Sequence, residues 1–308
     1  MSLDANASRF SGFADLYDAV RPVPPAELAE VIARYAGGRP DLVVDLGSGT
    51  GLSSRWAASW SNEVIGVEPS ADMRTRAAAV TSTAHVQFVP GWSNATELPD
   101  ACADVVLAVQ ALHWMEPTST FAEVARLLRP GGVFAAIDCD WPPSVGHAQA
   151  EQAWHTARAT IATHENRLAG RSSATSQRTI SSSPQSDDRW PENWRAPERG
   201  DTTAAVTIID GVQYWHKGEH LARMVDSQRF GHCIEIAALG EEQGDADRFI
   251  QLLQSQGDYQ ALRRHGLDDT TLGIDEFSSQ VHAALASAQR SFWFIYRARI
   301  GVLDAASR

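Results

Sequence analysis

The chain has 308 residues, 44% of them apolar and 21% charged, with a formal net charge of −12. That length supports one large core, or a core with a smaller lobe. The acid surplus argues against a nucleic-acid partner, which is normally met by a basic face. The opening MSLDANASRF lacks the basic-then-apolar order of an export signal, and no apolar run reaches membrane-spanning length. A cytoplasmic protein without a membrane partner is the expectation. Cys102, Cys139 and Cys233 are far apart and form no C-x-x-C pair, so neither a disulfide framework nor a zinc ribbon is indicated and no metal is expected.

In chain order, residues 9–36 read as an aromatic-dotted lead-in, RFSGFADLYDAVRPVPP, and then a helix from Ala26. DLVVDLG is a short buried strand, and GLSSRWAASW has helical spacing. NEVIGVEPS is a second strand and ADMRTRAAAV a second helix; HVQFVPG and ADVVLAVQAL are the third and fourth strands. TFAEVARLLRPGG is a helix stopped at Pro130, and VFAAIDCDW is the fifth strand. Short apolar strands alternating with amphipathic helices define parallel βαβ units whose sheet is covered on both faces. The rhythm changes after residue 146. A long helix, HAQAEQAWHTARATIATHENRLAG, leads into a polar stretch of some thirty residues over 171–201. That is longer than ordinary connections, and Trp190 and Trp194 suggest partial docking, since disordered tracts are poor in aromatics. CIEIAAL then reads as a strand, DADRFIQLLQSQ and IDEFSSQVHAALASAQ as helices, and SFWFIYRARIGVL as the last strand. The division expected is an N-terminal lid helix region at 1–36, a cofactor-binding Rossmann-like core at 37–145, an insertion shaping the acceptor pocket at 146–215, and a C-terminal part at 216–308 completing the sheet.

VVDLGSGTG, Val43 to Gly51, is where the chemistry starts. A P-loop would place a lysine after its glycines; the only lysine of the chain is Lys217. The dinucleotide fingerprint G-x-G-x-x-G fails too, since its sixth position is Leu52 counted from Gly47 and Ser54 counted from Gly49. An NAD-dependent oxidoreductase therefore rests on fold alone. The remaining pattern, D-x-G-x-G-x-G, opens with Asp45, an acid that would repel a pyrophosphate but suits a ligand carrying an ammonium group. Glu68 ends the second strand 19 residues beyond Gly49, where an acid commonly accepts both ribose hydroxyls. A nucleoside with a cationic tail and no phosphates is S-adenosylmethionine.

Taken together and in order, VVDLGSGTG, VIGVEPSADM, ADVVLAVQALHWM and LLRPGGVF resemble the class I S-adenosylmethionine-dependent methyltransferases, within the small-molecule branch of trans-aconitate methyltransferase-like proteins. The lead-in FADLYDAVRPVPP is similar to that branch, and the resemblance covers about residues 9–145. It implies a Rossmann-like seven-stranded, mostly parallel sheet with an antiparallel last strand, plus an inserted helical and loop lid. It also implies that Gly47, Ser48 and Gly49 meet the methionine moiety, with Asp45 orienting the loop or meeting the ammonium group. Glu68 would hold the ribose, with Pro69 and Met73 near the adenine. The loop after the third strand, here GWSNATELP, would meet the adenine edge through Ser93, Asn94 and Ala95, although the usual acid is missing there. Gln110 would touch the methionine part.

His113 and Trp114 would face the acceptor, and Phe10, Tyr17 and Arg21 would close over the cofactor. Arg21 is open between the cofactor carboxylate, an acidic substrate and an ordinary turn arginine. Trp141, in DCDWPP, would rim the same pocket. For an amine or phenol acceptor, His113 or Tyr17 could take the proton; a carboxylate acceptor needs no base. The implied function is O- or N-methylation of a small acid or a bacterial secondary metabolite by direct displacement. The alternative is a cofactor-binding protein of the same fold without turnover. Asp140-Trp-Pro-Pro has the wrong order and position for the acid-Pro-Pro-aromatic motif of amino-methylating nucleic-acid enzymes. HKGEH, His216 to His220, spells H-x-x-E-H, but Gly218 weakens the helix that zinc motif needs.

Overall fold

A computed structural model describes residues 4–170 and 204–304; the polar stretch with Trp190 and Trp194 lies outside the described residues. The central sheet has seven strands in the order β3-β2-β1-β4-β5-β9-β8. These are β1 (Leu42–Leu46), β2 (Glu63–Val67), β3 (Val86–Val89), β4 (Ala103–Val109), β5 (Leu128–Cys139), β8 (Phe230–Gly244) and β9 (Arg290–Leu303). Strands β1 to β5 pair in parallel, and β9 is antiparallel to both β5 and β8. The antiparallel last strand therefore lies inside the sheet, and β3 and β8 form the edges. A two-stranded ribbon, β6 (Val206–Thr207) and β7 (Gln213–Tyr214), stands apart from it.

Successive residues of the strands serve opposite faces, as a period of two requires. Val43, Val105 and Val133 join one apolar cluster, while Val44, Val106 and Phe134 join the other. The larger cluster is built with α3 (Ala26–Tyr35), α4 (Leu52–Ala58), α7 (Ala148–Leu168), α9 (Ala246–Gln254), α10 (Gly257–Arg264) and α11 (Ile274–Leu285). The second is built with α6 (Pro117–Leu127) and α8 (His220–Asp226). Covering both faces is what lets the strands be nearly continuous runs of valine, isoleucine and leucine. Met73 and Ala77 of α5 (Ala71–Val80) are buried.

Several features differ from the sequence expectation. A short helix, α1 (Asp4–Ser8), precedes the aromatic lead-in and another, α2 (Ala14–Val20), lies within it, while β5 begins at Leu128 and takes in the Pro130 and glycines read as the end of a helix. The stretch around Gly257 is a helix, α10, because Tyr259, Ala261 and Leu262 pack into the larger cluster and outweigh the glycine at its start. The strand read as CIEIAAL runs for 15 residues, sustained by its antiparallel ladder with β9. Among the described residues no helix is long and apolar enough to cross a membrane.

Candidate active site

The site lies at the carboxyl ends of β1, β2, β4 and β5, where parallel sheets open a crevice. After β1 the chain turns through Gly47, Gly49 and Gly51 at φ of +67°, +55° and +81°, a region costly for residues with a Cβ. Crowding adds to this at Gly51, where a Cβ would come 2.6 Å from the Phe88 ring. At Gly49 the same direction is open space, so the backbone can be approached closely there. Glu68 closes the other side of the turn. Its Oε2 accepts from Gly49 N–H at 3.0 Å and its Oε1 from Ser70 N–H at 2.8 Å. Burial raises its carboxyl above the usual range against the pull of those two bonds. Each carboxylate oxygen keeps a second lone pair, so Glu68 can still accept from a diol.

Asp45 is fully buried and does not line the cavity. Its Oδ2 accepts from Ser53 and Ser54 hydroxyls at 2.7 and 2.6 Å, which ties β1 to the first turn of α4. Burial pushes it up to about 6 in spite of those bonds. Of its two expected roles, orienting the loop has contacts behind it.

Gly47, Ser48, Gly49, Glu68, Pro69, Met73, Ser93 and Gln110 all line one cavity. Asn94 and Ala95 do not: Trp92 and Ala95 exchange backbone bonds of 3.2 and 3.0 Å across a tight turn, leaving both residues exposed to solvent. Trp92 lines the cavity in their place, beside Ser93, whose hydroxyl meets Thr120 at 2.9 Å. Gln110 has a left-handed backbone, φ +53°, a strained state that commonly marks a working position. Its Oε1 accepts from Lys217 Nζ at 2.7 Å, while its Nε2 is buried without a partner. Ser48 Oγ and Thr50 Oγ1 are likewise buried and unpartnered.

A second, larger cavity of about 780 Å³ adjoins the first. Phe10, Tyr17, Arg21, Gln110, Trp114 and Trp141 line both, so the expected acceptor residues stand at the junction. Arg21 is held between the Tyr17 and Trp141 rings, 4.6 and 4.9 Å from their centroids, and donates to Ser255 Oγ and the Ser255 carbonyl. Asn6 fastens the lead-in across the site, bonding Trp114 O and both backbone groups of Gln213 at 2.8 Å. Helix α7, the ribbon of β6 and β7, and the 216–217 segment supply much of the outer wall.

His113 lines the larger cavity and is only 4% exposed. Burial first, and then the Lys217 ammonium, push it down to about 4. Its Nδ1 lies 3.4 Å from Asp138 Oδ1, and His220 Nε2 lies 3.5 Å from Asp138 Oδ2. Arg299 donates to Asp138 Oδ2 at 2.9 Å and Lys217 Nζ stands 3.2 Å from Oδ1. Burial opposes ionisation of Asp138, but Lys217, His113 and His220 together hold its carboxyl far below the usual range. His113, Asp138 and His220 are close enough to share a cation. Two observations weigh against one: both Asp138 oxygens already face cations, and Arg223 donates to His220 Nδ1 at 3.1 Å. A guanidinium only donates, so the hydrogen of a neutral His220 sits on Nε2, which then has no lone pair for a metal. HKGEH is thus split, with His220 turned inward to Asp138 and His216 on the cavity wall.

Comparison with known proteins finds similarity to methyltransferases over part of the chain. Residues 44–136 match the methyltransferase domain family model. An uncharacterized methyltransferase of Mycobacterium tuberculosis is 35% identical over 125 residues, 40% of this chain and 49% of the relative. A Saccharomyces cerevisiae protein named as a probable S-adenosylmethionine-dependent methyltransferase is 31% identical over 125 residues, 39% of this chain and 43% of the relative. The match takes in about half the length of these relatives. A solved structure assigned as a type II methyltransferase, from Anaeromyxobacter dehalogenans, shares the fold with a TM-score of 0.56 at 21% identity, over 92% of this chain and 98% of that one. Residues 44–136 thus match a methyltransferase domain, in line with the class I S-adenosylmethionine-dependent methyltransferases that the motifs resemble, and the solved structure shows the shared fold. The family implies S-adenosylmethionine, and the residues present fit it: a glycine turn open to close approach, an acid for the ribose, and three buried polar groups awaiting partners.

Proposed function

We propose that this protein transfers a methyl group from S-adenosylmethionine to a small-molecule acceptor by direct displacement, with cofactor in the first cavity and acceptor in the second. The observation that carries the reading is the set of unpartnered buried groups, Ser48 Oγ, Thr50 Oγ1 and Gln110 Nε2, on a cavity running from the glycine turn to Glu68. Buried polar groups without partners are rare in native proteins and point to a ligand that completes them. When bound, the cofactor supplies an electrophilic methyl group whose departure leaves a neutral thioether.

The chain's own part is positioning and exclusion of water. Glu68 holds the ribose, Pro69, Met73, Trp92 and Ser93 enclose the base, and Gln110 Nε2 reaches the methionine end. Phe10, Trp114, Trp141 and Tyr17 give the junction aromatic walls, whose faces attract a cation while excluding water. His113 or Tyr17 takes the proton of an acceptor that must lose one. Small acids and secondary metabolites bearing a hydroxyl or amine are the acceptor classes to screen.

The test is incubation of the purified chain with methyl-labelled cofactor and panels of phenols, alcohols, amines and carboxylic acids, read by mass spectrometry. A labelled acceptor is the expected result. Cofactor binding with no label transferred across all four panels would favour the binding-only alternative.

A further inference from the structure

The HKGEH segment, which no zinc chemistry claims, packs against the residue expected to move a proton. We propose, building on the methyltransferase reading, that Asp138 is a positioning residue that fixes His113 with its hydrogen on Nδ1. The lone pair on Nε2 then serves a hydroxyl acceptor in the second cavity, which His113 and Lys217 both line.

Asp138 is 3% exposed and is held from behind by Arg299, which Glu235 also pairs at 2.6 Å. Its oxygens also face two imidazoles, with Lys217 Nζ 3.2 Å from Oδ1. Arg223 settles the hydrogen of His220 on Nε2, aimed at Asp138 Oδ2. The His113 Nδ1 and Asp138 Oδ1 atoms, 3.4 Å apart, are both buried and neither has a hydrogen bond within the structure. An ionised carboxylate can only accept, so His113 lowers the energy of the pair by carrying its hydrogen on Nδ1. Long contacts of this kind commonly tighten when a site fills. The other groups facing His113 are Lys217 from the 217–219 turn, the Tyr214 ring 5.6 Å away on β7, Trp114 beside it and Arg21 from the end of α2. Burial and the two cations keep His113 neutral, and Asp138 opposes them only in part.

In the reaction the acceptor oxygen bonds to the methyl carbon, the C–S pair stays on sulfur, and the hydroxyl proton passes to His113 Nε2. A weak base suffices, because an oxygen that gains the methyl as its third bond becomes an oxonium far more acidic than any imidazolium. The resulting imidazolium faces Asp138 through Nδ1–H. A carboxylate acceptor would have no proton to give, and the ammonium an alkylamine yields is too weak an acid to protonate so weak a base, so the class inferred is a phenol or alcohol.

Nitrogen NMR of ¹⁵N-histidine-labelled protein saturated with S-adenosylhomocysteine tests the assignment without an acceptor. Between pH 5 and 8 His113 is expected to stay neutral with its hydrogen on Nδ1. Lys217→Met should raise its midpoint by at least one pH unit, and Asp138→Asn should transfer a large share of the hydrogen to Nε2. Wild-type His113 titrating near its ordinary value, or carrying its hydrogen on Nε2, would overturn the proposal even if the Asp138 variant failed to fold. Methylation confined to carboxylic acids would overturn the acceptor class while leaving the methyltransferase reading in place. Failure of S-adenosylhomocysteine to bind would instead strike that reading itself.

Discussion

The two cavities are built on opposite plans. The first cavity is organised by backbone: a glycine turn, strand ends, and a carboxylate that two main-chain N–H groups fix in place. In the second cavity His113 is backed by charged side chains carried by β5, β8, β9 and the HKGEH segment. Backbone geometry is set locally and tolerates few residue types, while a buried charge cluster is set by its partners. The first kind of site should fail through shape and the second through charge.

The sharpest break is expected on the charged side. Arg299→Met leaves Asp138 without its hydrogen-bonded cation, and removing one member of a buried pair costs about 3–5 kcal/mol. A much lower thermal midpoint, with Glu235→Gln milder because Glu235 is partly exposed, would confirm it. His113→Asn comes next: turnover falls about 100-fold or more while affinity for S-adenosylhomocysteine, by calorimetry, is kept. On the backbone side, Gly51→Ala meets both the left-handed φ and the Phe88 ring, for a loss of about 1–2 kcal/mol from the conformation alone. Its affinity for S-adenosylhomocysteine should drop as well.

The smallest effects are in pH, and the two sides run in opposite directions. Asp45 is raised to about 6 when folded, so its contribution is favourable at low pH and is lost as pH rises through 6. His113 and His220 are depressed to about 4 and 3. Their contribution is present above the ordinary histidine value and is lost as pH falls from there toward the folded values. In urea melts at pH 5, 6.5 and 8, Asp45→Asn should gain on wild type toward pH 8. His220→Gln should lose least against wild type at pH 5.

The same contrast explains what could be read in advance. Strands β1 to β5 and the helices between them follow from apolar periodicity, and Gly49 with Glu68 from their spacing, because those residues answer to neighbours along the chain. Asn94 and Ala95 were misplaced because a two-residue turn, closed by Trp92 and Ala95, decides which side chains face inward. Asn6, Lys217 and Arg299 were out of reach for another reason. Their decisive bonds join residues 207, 107 and 161 positions apart, and each looks like an ordinary surface residue in sequence. HKGEH invites a local reading, yet His220 and Lys217 make their decisive contacts with Asp138 of β5.

The central claim is that the first cavity holds the adenosyl cofactor through the glycine turn and Glu68. Calorimetry of the purified chain with S-adenosylhomocysteine, run beside Glu68→Ala, tests it most directly. We expect micromolar binding, roughly 8 kcal/mol, weakened at least about 100-fold in the variant, since 1.4 kcal/mol is tenfold and two charge-assisted bonds are lost. Binding of equal strength in the variant, or no heat with the wild-type chain, would contradict the account.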